Sequence, residues 1–587
     1  MARKSTLSNE LESQKKRLVT LLSAGVDVLI IGAGINGAGL FRDLCEQGIS
    51  CAIIDKGDFG GGTSAAPSRL IHGDLKYLET GELGLVAQST YERNLLLKNA
   101  PHCVQSLETV IPIFSWTKGV GPALKTLFGF KSKARSRGAL LIKTGLAIYD
   151  FYGRRARMMP RHAMWSKART LREIPALTPE IVAAGTYYDA AIARPERLVW
   201  ELVQEGLTAQ SQSAAMNYTS LLTGDGGTLM FETQDQFRFT LKPKIVVNAA
   251  GPWIDAVNTK LGVPSKMIGG TKGSHILLDH PELLRQLKGR MIYFESNDGR
   301  ICLVYPYENH VMVGSTDQKA ASPDSVVCED WEISYFIDAL HNLLPGMKFS
   351  TDQIIYAYSG IRPLPASDVK SEGLISRDHS APVMEAMGDR SFPIISLVGG
   401  KWTTFRGFAE EVADQILKRL TLVRLKSTSA LSIGGGRDFP KDKENWVKAL
   451  AQKVSLPEVD VQLLFDRYGT TAAKIIASLA GEGLGERLQD APDYFLAEFR
   501  YMAGEELVQS LADVVLRRTV LGLGGHVSAR DLSSVADVLG EELDWTTSRK
   551  ARELENLFTQ LQARNRIRFV NEGVGKATLS DKMVEMN

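Results

Sequence analysis

Cysteine is scarce in this 587-residue chain. The five present (Cys45, Cys51, Cys103, Cys302, Cys328) are odd in number and scattered, with no CxxC or Cys/His ligand spacing. They support neither a disulfide framework nor a structural metal, and point to a reducing compartment. An excess of one charge is also lacking: 69 Lys+Arg stand against 67 Asp+Glu, which excludes a dedicated nucleic-acid binder. No run reaches the roughly 18–20 apolar residues a spanning helix needs, the nearest being 26–35 and 138–149. Repeats and low-complexity tracts are missing too. At the N-terminus, basic residues precede Leu18, but the following apolar stretch carries Asp27 and has no small-residue cleavage site. Residues 1–25 therefore read as a short amphipathic lead-in helix rather than a cleaved signal.

What is abundant is glycine, 53 residues, within an ordinary globular composition of 44% hydrophobic residues. The length calls for two or three domains. An apolar β-branched run, VDVLII (26–31), ends at Gly32-Ala33-Gly34-Ile35-Asn36-Gly37, and a helical stretch follows. Strand, turn and helix in this order fit a dinucleotide: the first glycine allows the tight turn, the second lets backbone approach a pyrophosphate, and the third lets helix and strand pack closely. A second apolar strand (49–54) ends in Asp55, 18 residues after Gly37 and placed to accept from ribose hydroxyls. Further on, a buried strand feeds the small-residue turn Ala249-Ala250-Gly251-Pro252-Trp253. The strand 394–398 runs into Gly399-Gly400-Lys401 ahead of an Ala- and Glu-rich helix.

Eight stretches in order, IGAGINGAG (31–39), GTSAAPSRLIHGDLKYLE (62–79), NAAGPW (248–253), KGSHI (272–276), GSTD (314–317), YSGIRPL (358–364), SRD (376–378) and GGKWTTFR (399–406), carry a resemblance. Through them the chain resembles the FAD-dependent glycerol-3-phosphate dehydrogenases of the aerobic, membrane-associated type. The resemblance implies an α/β fold: a glutathione-reductase-like, Rossmann-type FAD domain with an interleaved antiparallel-sheet substrate domain (26–430) and an α-helical C-terminal domain (431–587). It implies FAD held at Gly32, Gly34, Asn36, Gly37, Asp55, Thr63, Ser64, Arg69, Leu70, His72, Gly251, Gly399, Gly400 and Thr403. The implied reaction oxidises sn-glycerol 3-phosphate to dihydroxyacetone phosphate, the C2 hydride passing to the flavin and the electrons to a membrane quinone.

Lys76, His275, Arg362, Arg377 and Lys401 sit beside glycines in these motifs, and their common target is an anion. A phosphate is best held by guanidinium forks together with ammonium charges. The expected substrate-binding set is Lys76, Tyr77, Arg362, Arg377 and Lys401; the expected catalytic set is His275, Arg362 and Lys401. His275 is the candidate base for the C2 hydroxyl proton, with a purely hydrogen-bonding role as its alternative and His72 as a second candidate. Two departures from the family pattern bear on specificity. HGDLKY stands where HGGLRY is usual, placing Asp74 and Lys76 near the expected pocket, and Ala65-Ala66-Pro67 replaces a serine-rich loop. They leave open another polyol phosphate, such as a tetritol phosphate. An oxygen-using oxidase, an amine oxidase and a flavin-fold binder without turnover are the further rivals.

Residues 118–161 hold eleven Lys/Arg against one acid, Asp150, interleaved with apolar and aromatic side chains. This suits an element lying on an anionic membrane surface, and so an enzyme in the cytoplasm attached peripherally to the inner face of the membrane, where a quinone is reached. Beyond the glycine-rich break at 432–440, helical patterns occupy 446–454, 459–468, 471–479, 505–517 and 546–564. RYGTTAAKI (467–475) and ADVVLRRT (512–519) resemble the family's C-terminal domain, whose chemistry the sequence does not disclose; capping the FAD domain and supporting a homodimer are both open.

Overall fold

The computed structural model describes residues 10–73, 82–116, 138–155, 158–320, 322–366, 378–479, 484–525 and 527–569. Val26–Ile31 pairs in parallel with Cys51–Ile54 on one side and Pro243–Asn248 on the other. Ile394–Ser396 and Ala214–Met216 extend this sheet in parallel, and antiparallel Val383–Met384 closes it at six strands. The continuous apolar run is explained by burial on both faces. Val28 and Ile30 pack with Phe41, Trp200 and Phe408 beneath the helices; the alternating Leu29 and Ile31 pack with Phe231 and Phe239 of a three-stranded meander. The lead-in helix, Glu10–Ala24, buries Leu18 and Leu21. Its Gln14 Oε1 accepts from the Ala215 N–H at 3.0 Å, covering the edge strand.

The second sheet has ten strands, almost all antiparallel. Thr271–Leu278 runs between Ile354–Arg362 and His310–Gly314, with His275 opposite both Tyr358 and Gly314. This register brings KGSHI, SGIRP and Gly314 of GSTD, far apart in sequence, onto neighbouring strands, with Ser315 to Asp317 just past a strand end.

The C-terminal helices include Lys443–Val454, Glu458–Tyr468, Thr471–Ser478, Leu496–Glu505, Ala529–Glu542 and Thr547–Ala563. The helix expected over 505–517 does not form. One helix ends at Glu505, Leu507 takes a positive φ of 52°, and the chain resumes as Leu511–Asp513 and the widened turn Val514–Arg518. The physical reason is tertiary: Glu506 is held by Arg197 at 2.9 Å, and the turn delivers Arg517 and Arg518 to Asp58. No helix among the described residues is long and apolar enough to cross a membrane.

Candidate active site

A cleft of about 680 Å³ runs from the glycine turn to the large sheet. At one end Gly32 adopts φ +106°, where a Cβ would meet the Ala249 carbonyl oxygen at 2.6 Å. A Cβ on Gly37 would come within 2.0 Å of the Gly32 oxygen, so only glycine lets the helix approach the strand. Asp55 lines the cleft, accepting from the Ala33 N–H at 2.7 Å and the Gly57 N–H at 2.9 Å. Burial outweighs these bonds and pushes its carboxyl up to about 6. Ser64 Oγ accepts from the Ile35 N–H at 2.9 Å. Asn36 lines the cleft and donates weakly to the Gly399 carbonyl at 3.4 Å. A glycine cradle and a carboxylate set for hydroxyls are what the adenosine end of a dinucleotide needs.

The other end holds the chemistry. His275 is 1% exposed, stacks on Tyr358 with centroids 5.0 Å apart, and places Nε2 2.9 Å from Ser68 Oγ. Burial, then the charges of Arg362 and Arg69, push its pKa down to about 3, so the imidazole is neutral at physiological pH. Arg362 donates to the Thr316 carbonyl at 3.2 Å, to Asp317 Oδ1 at 3.1 Å and to Ser315 Oγ at 3.1 Å. Two motif glycines make room for these side chains. A Cβ on Gly314 would meet His275 Cδ2 at 2.1 Å, and one on Gly273 would meet the Arg362 guanidinium at 2.3 Å. Lys401, 7% exposed, donates to the His72 carbonyl at 3.3 Å, and the His72 N–H donates to Thr403 Oγ1 at 3.2 Å. Thr63 Oγ1 donates to the Ile361 carbonyl at 2.6 Å, tying the cofactor loop to the strand that carries Arg362.

The cleft thus brings together Gly32, Gly34, Asn36, Asp55, Thr63, Ser64, Leu70, His72, Gly251, Gly400 and Thr403 with His275, Arg362 and Lys401. Three expected cofactor contacts stand elsewhere. Gly37 supports the turn from behind. Gly399, at φ +73°, would clash with the Asp378 carbonyl if it carried a Cβ and pairs instead with His379. The Arg69 side chain is turned away, forked onto Glu196 at 2.5 and 3.2 Å and bonded to the Ala193 carbonyl, because a buried guanidinium needs a carboxylate partner. Lys76, Tyr77, Arg377 and Asp74 lie outside the described residues. Sequence reasoning missed Ser68 and Asp317, although both stand inside quoted motifs. It also missed Arg517, Gln560 and Arg564, which line the cleft from the C-terminal helices.

Residues 27–406 match the family of FAD-dependent oxidoreductases, and 426–550 match the C-terminal domain of α-glycerophosphate oxidase. The glycerol-3-phosphate dehydrogenase of Synechocystis sp. is 31% identical over 553 residues, covering 90% of this chain and 95% of that protein. The chain belongs to the FAD-dependent glycerol-3-phosphate dehydrogenase family. The aerobic glycerol-3-phosphate dehydrogenase of Bacillus subtilis is 27% identical over 567 residues, covering 93% of this chain and 96% of its own length. The solved glycerol-3-phosphate dehydrogenase of Bacillus halodurans, complexed with FAD, has the same fold, with a TM-score of 0.72 at 23% identity over 96% and 99% of the two chains. FAD is the cofactor of this family member, and the glycine cradle and Asp55 end of the cleft suit its adenosine diphosphate half.

Among the described residues, one other cluster gathers potential metal ligands: His102, Cys103 and Glu201 bring theirs within 4.8 Å of one another. Burial opposes the imidazolium there, but Cys103 and Glu201 outweigh it and push the pKa up to about 10. With Arg197 3.4 Å from the same Glu201, the cluster reads as an internal charge pair in a setting that opposes a dication.

Proposed function

We propose that the chain oxidises sn-glycerol 3-phosphate to dihydroxyacetone phosphate and passes the electrons to a membrane quinone. The observation that carries this reading is that a guanidinium, an ammonium and a neutral imidazole all line one FAD cleft. Bound FAD supplies the acceptor for the C2 hydride. Arg362 and Lys401 hold an anionic substrate, and each charge-assisted hydrogen bond contributes on the order of 1.5–3 kcal/mol. Thr316, Ser315 and Asp317 fix the Arg362 fork, so little side-chain entropy remains to be lost on binding. His275, neutral and oriented by Ser68 and Tyr358, takes the C2 hydroxyl proton. Burial is the main cause that depresses His275 in the chain alone; the phosphate dianion offsets the smaller contribution of the Arg362 charge and so raises its basicity when substrate is present.

The surface supports a peripheral membrane site. Helix Ala139–Tyr152 buries Ile142, Leu146 and Tyr149 and exposes Leu140, Ile148 and Phe151 beside Lys143. Arg154 lies over the Phe151 ring at 4.1 Å, and exposed Phe114, Trp116 and Met158 adjoin this segment of the chain. Cations interleaved with exposed aromatic and aliphatic side chains match an anionic bilayer interface. Residues 118–137 and 156–157 of the basic segment lie outside the described residues.

The test is an anaerobic titration of the purified protein with sn-glycerol 3-phosphate, followed by flavin absorbance, with reoxidation by a soluble quinone or by air. Bleaching by sn-glycerol 3-phosphate that quinone reverses faster than air supports the reading. Bleaching only by a four-carbon polyol phosphate moves the substrate to that class, and faster reoxidation by air makes the enzyme an oxidase.

A further inference from the structure

The loop after Cys51–Ile54 forms one wall of the FAD cleft: Asp55, Gly57, Asp58, Gly62, Thr63 and Ser64 all line it. The C-terminal helices reach this wall through two arginines. The carboxylate of Asp58, fully buried, accepts from Arg517 Nε at 2.7 Å and from Arg518 at 2.7 and 3.1 Å. These are the paired arginines of ADVVLRRT. Asn217 adds a fourth hydrogen bond at 3.0 Å and itself donates to the Leu507 carbonyl at 2.9 Å. Burial would raise the Asp58 carboxyl, yet the two arginines outweigh it and hold it at about 2, so the carboxylate stays charged.

The C-terminal helices reach the cleft at a second place. Gln560 and Arg564, at the end of helix Thr547–Ala563, line the cleft together with Lys56 and Trp253, and Lys56 lies over the Trp253 ring at 4.1 Å. Just beyond, Asn565 is stitched to the strand Ile354–Arg362: its carbonyl accepts from the Ala357 N–H at 2.9 Å and its Nδ2 donates to the Ala357 carbonyl at 3.1 Å. The end of this helix therefore grips the cofactor rim and the strand that carries Arg362.

We infer that the C-terminal helices are a working half of the cofactor site, fixing the Asp58 loop through Arg517 and Arg518 and closing the rim of the FAD cleft with Gln560 and Arg564. Because linkage is reciprocal, bound FAD stabilises the docked helices by the same factor by which the docked helices tighten FAD. In this protein ADVVLRRT is a clamp on the cofactor wall, and removal of the C-terminal part exposes FAD to loss.

The test uses full-length protein stripped of FAD and then titrated with FAD, with flavin fluorescence as the readout. The Gln560→Ala/Arg564→Ala pair sits at the surface and leaves the buried Asp58 cluster intact, so the fold is retained. Its FAD affinity is expected to fall about tenfold, and that of ADP, used as a probe, by a similar factor. In parallel, amide hydrogen exchange of wild-type protein is expected to slow in residues 505–519 and 547–569 when FAD is added. Unchanged FAD affinity in the double variant, or exchange in both segments that is indifferent to FAD, would overturn the inference. The inference rests on FAD occupying this cleft, and the two failures are distinguishable: without an FAD site the wild-type protein itself would not titrate with FAD.

Discussion

Acidification should release the cofactor through one carboxylate, Asp55. In the chain alone its pKa is raised from 3.8 to about 6, burial being the largest cause, reinforced by Asp58 and opposed by the Gly57 and Ala33 N–H groups and Lys56. A raised carboxylate means that the ionised form is the costly one. The stability Asp55 contributes is complete below pH 3.8 and lost as pH rises through about 6, a loss of about 3 kcal/mol at roughly 1.4 kcal/mol per pH unit. Ribose hydroxyls donating to the carboxylate relieve that cost, so FAD binds the ionised form preferentially. Affinity should hold steady above pH 7 and then fall, reaching about a tenfold loss near pH 5, one unit below the pKa. His275 does not confuse this range, because it stays neutral down to about 3. The assay is fluorescence titration of FAD-free protein from pH 7.5 to 5, with Asp55→Asn as control. The variant should bind FAD roughly five- to thirtyfold more weakly at pH 7.5, having exchanged charge-assisted hydrogen bonds for neutral ones, and should show no slope. A flat wild-type profile, or an equal slope in the variant, refutes the reasoning.

Three further outcomes follow from the same geometry. Gly37→Ala should yield protein without flavin, seen as a missing 450 nm band, because its Cβ would lie 2.0 Å from a backbone oxygen that cannot move aside. Arg362→Lys keeps the charge but loses the fork and its anchoring on Thr316, Ser315 and Asp317; kcat/KM for sn-glycerol 3-phosphate should fall about 100-fold in a dye-linked assay, with FAD content unchanged. His275→Gln should lower kcat by roughly 10²–10⁴ while retaining flavin. The same substitution should lessen the acid sensitivity of the FAD-free chain. A buried imidazole whose pKa is depressed from 6.5 to about 3 contributes stability above pH 6.5 that is lost as pH falls toward 3, and melting curves across that range would show it.

The cofactor end was readable because its chemistry is local. A strand, a glycine turn and a helix follow one another within residues 26–46, and both Asp55 and Gly37 act through short-range geometry that residue type dictates. Arg69 misled for the opposite reason. It stands inside a cofactor motif, but its partner Glu196 is 127 residues away, and only folding could show that this guanidinium was already engaged. Ser68 and Asp317 were visible as letters without a role, since a hydroxyl or carboxylate declares its task only when its partner is placed. The helical pattern over 505–517 was real as periodicity, yet contacts of Glu506 and Arg518 with distant residues outweighed it.

By itself the sequence determined the α/β class and the dinucleotide turn, and through the family resemblance of its motifs it pointed to FAD. These rest on patterns of period 2 or 3.6, on glycines required by backbone sterics, and on motifs whose members are neighbours in the chain. Tertiary structure alone decided that His275 faces Gly314, that Arg362 is braced by the GSTD segment, and that Arg517, Arg518, Gln560 and Arg564 reach back to the cofactor wall. Those relations join residues about 40 to 500 positions apart. They are set by sheet register and by the pairing of buried charges, two long-range terms that local residue patterns do not encode.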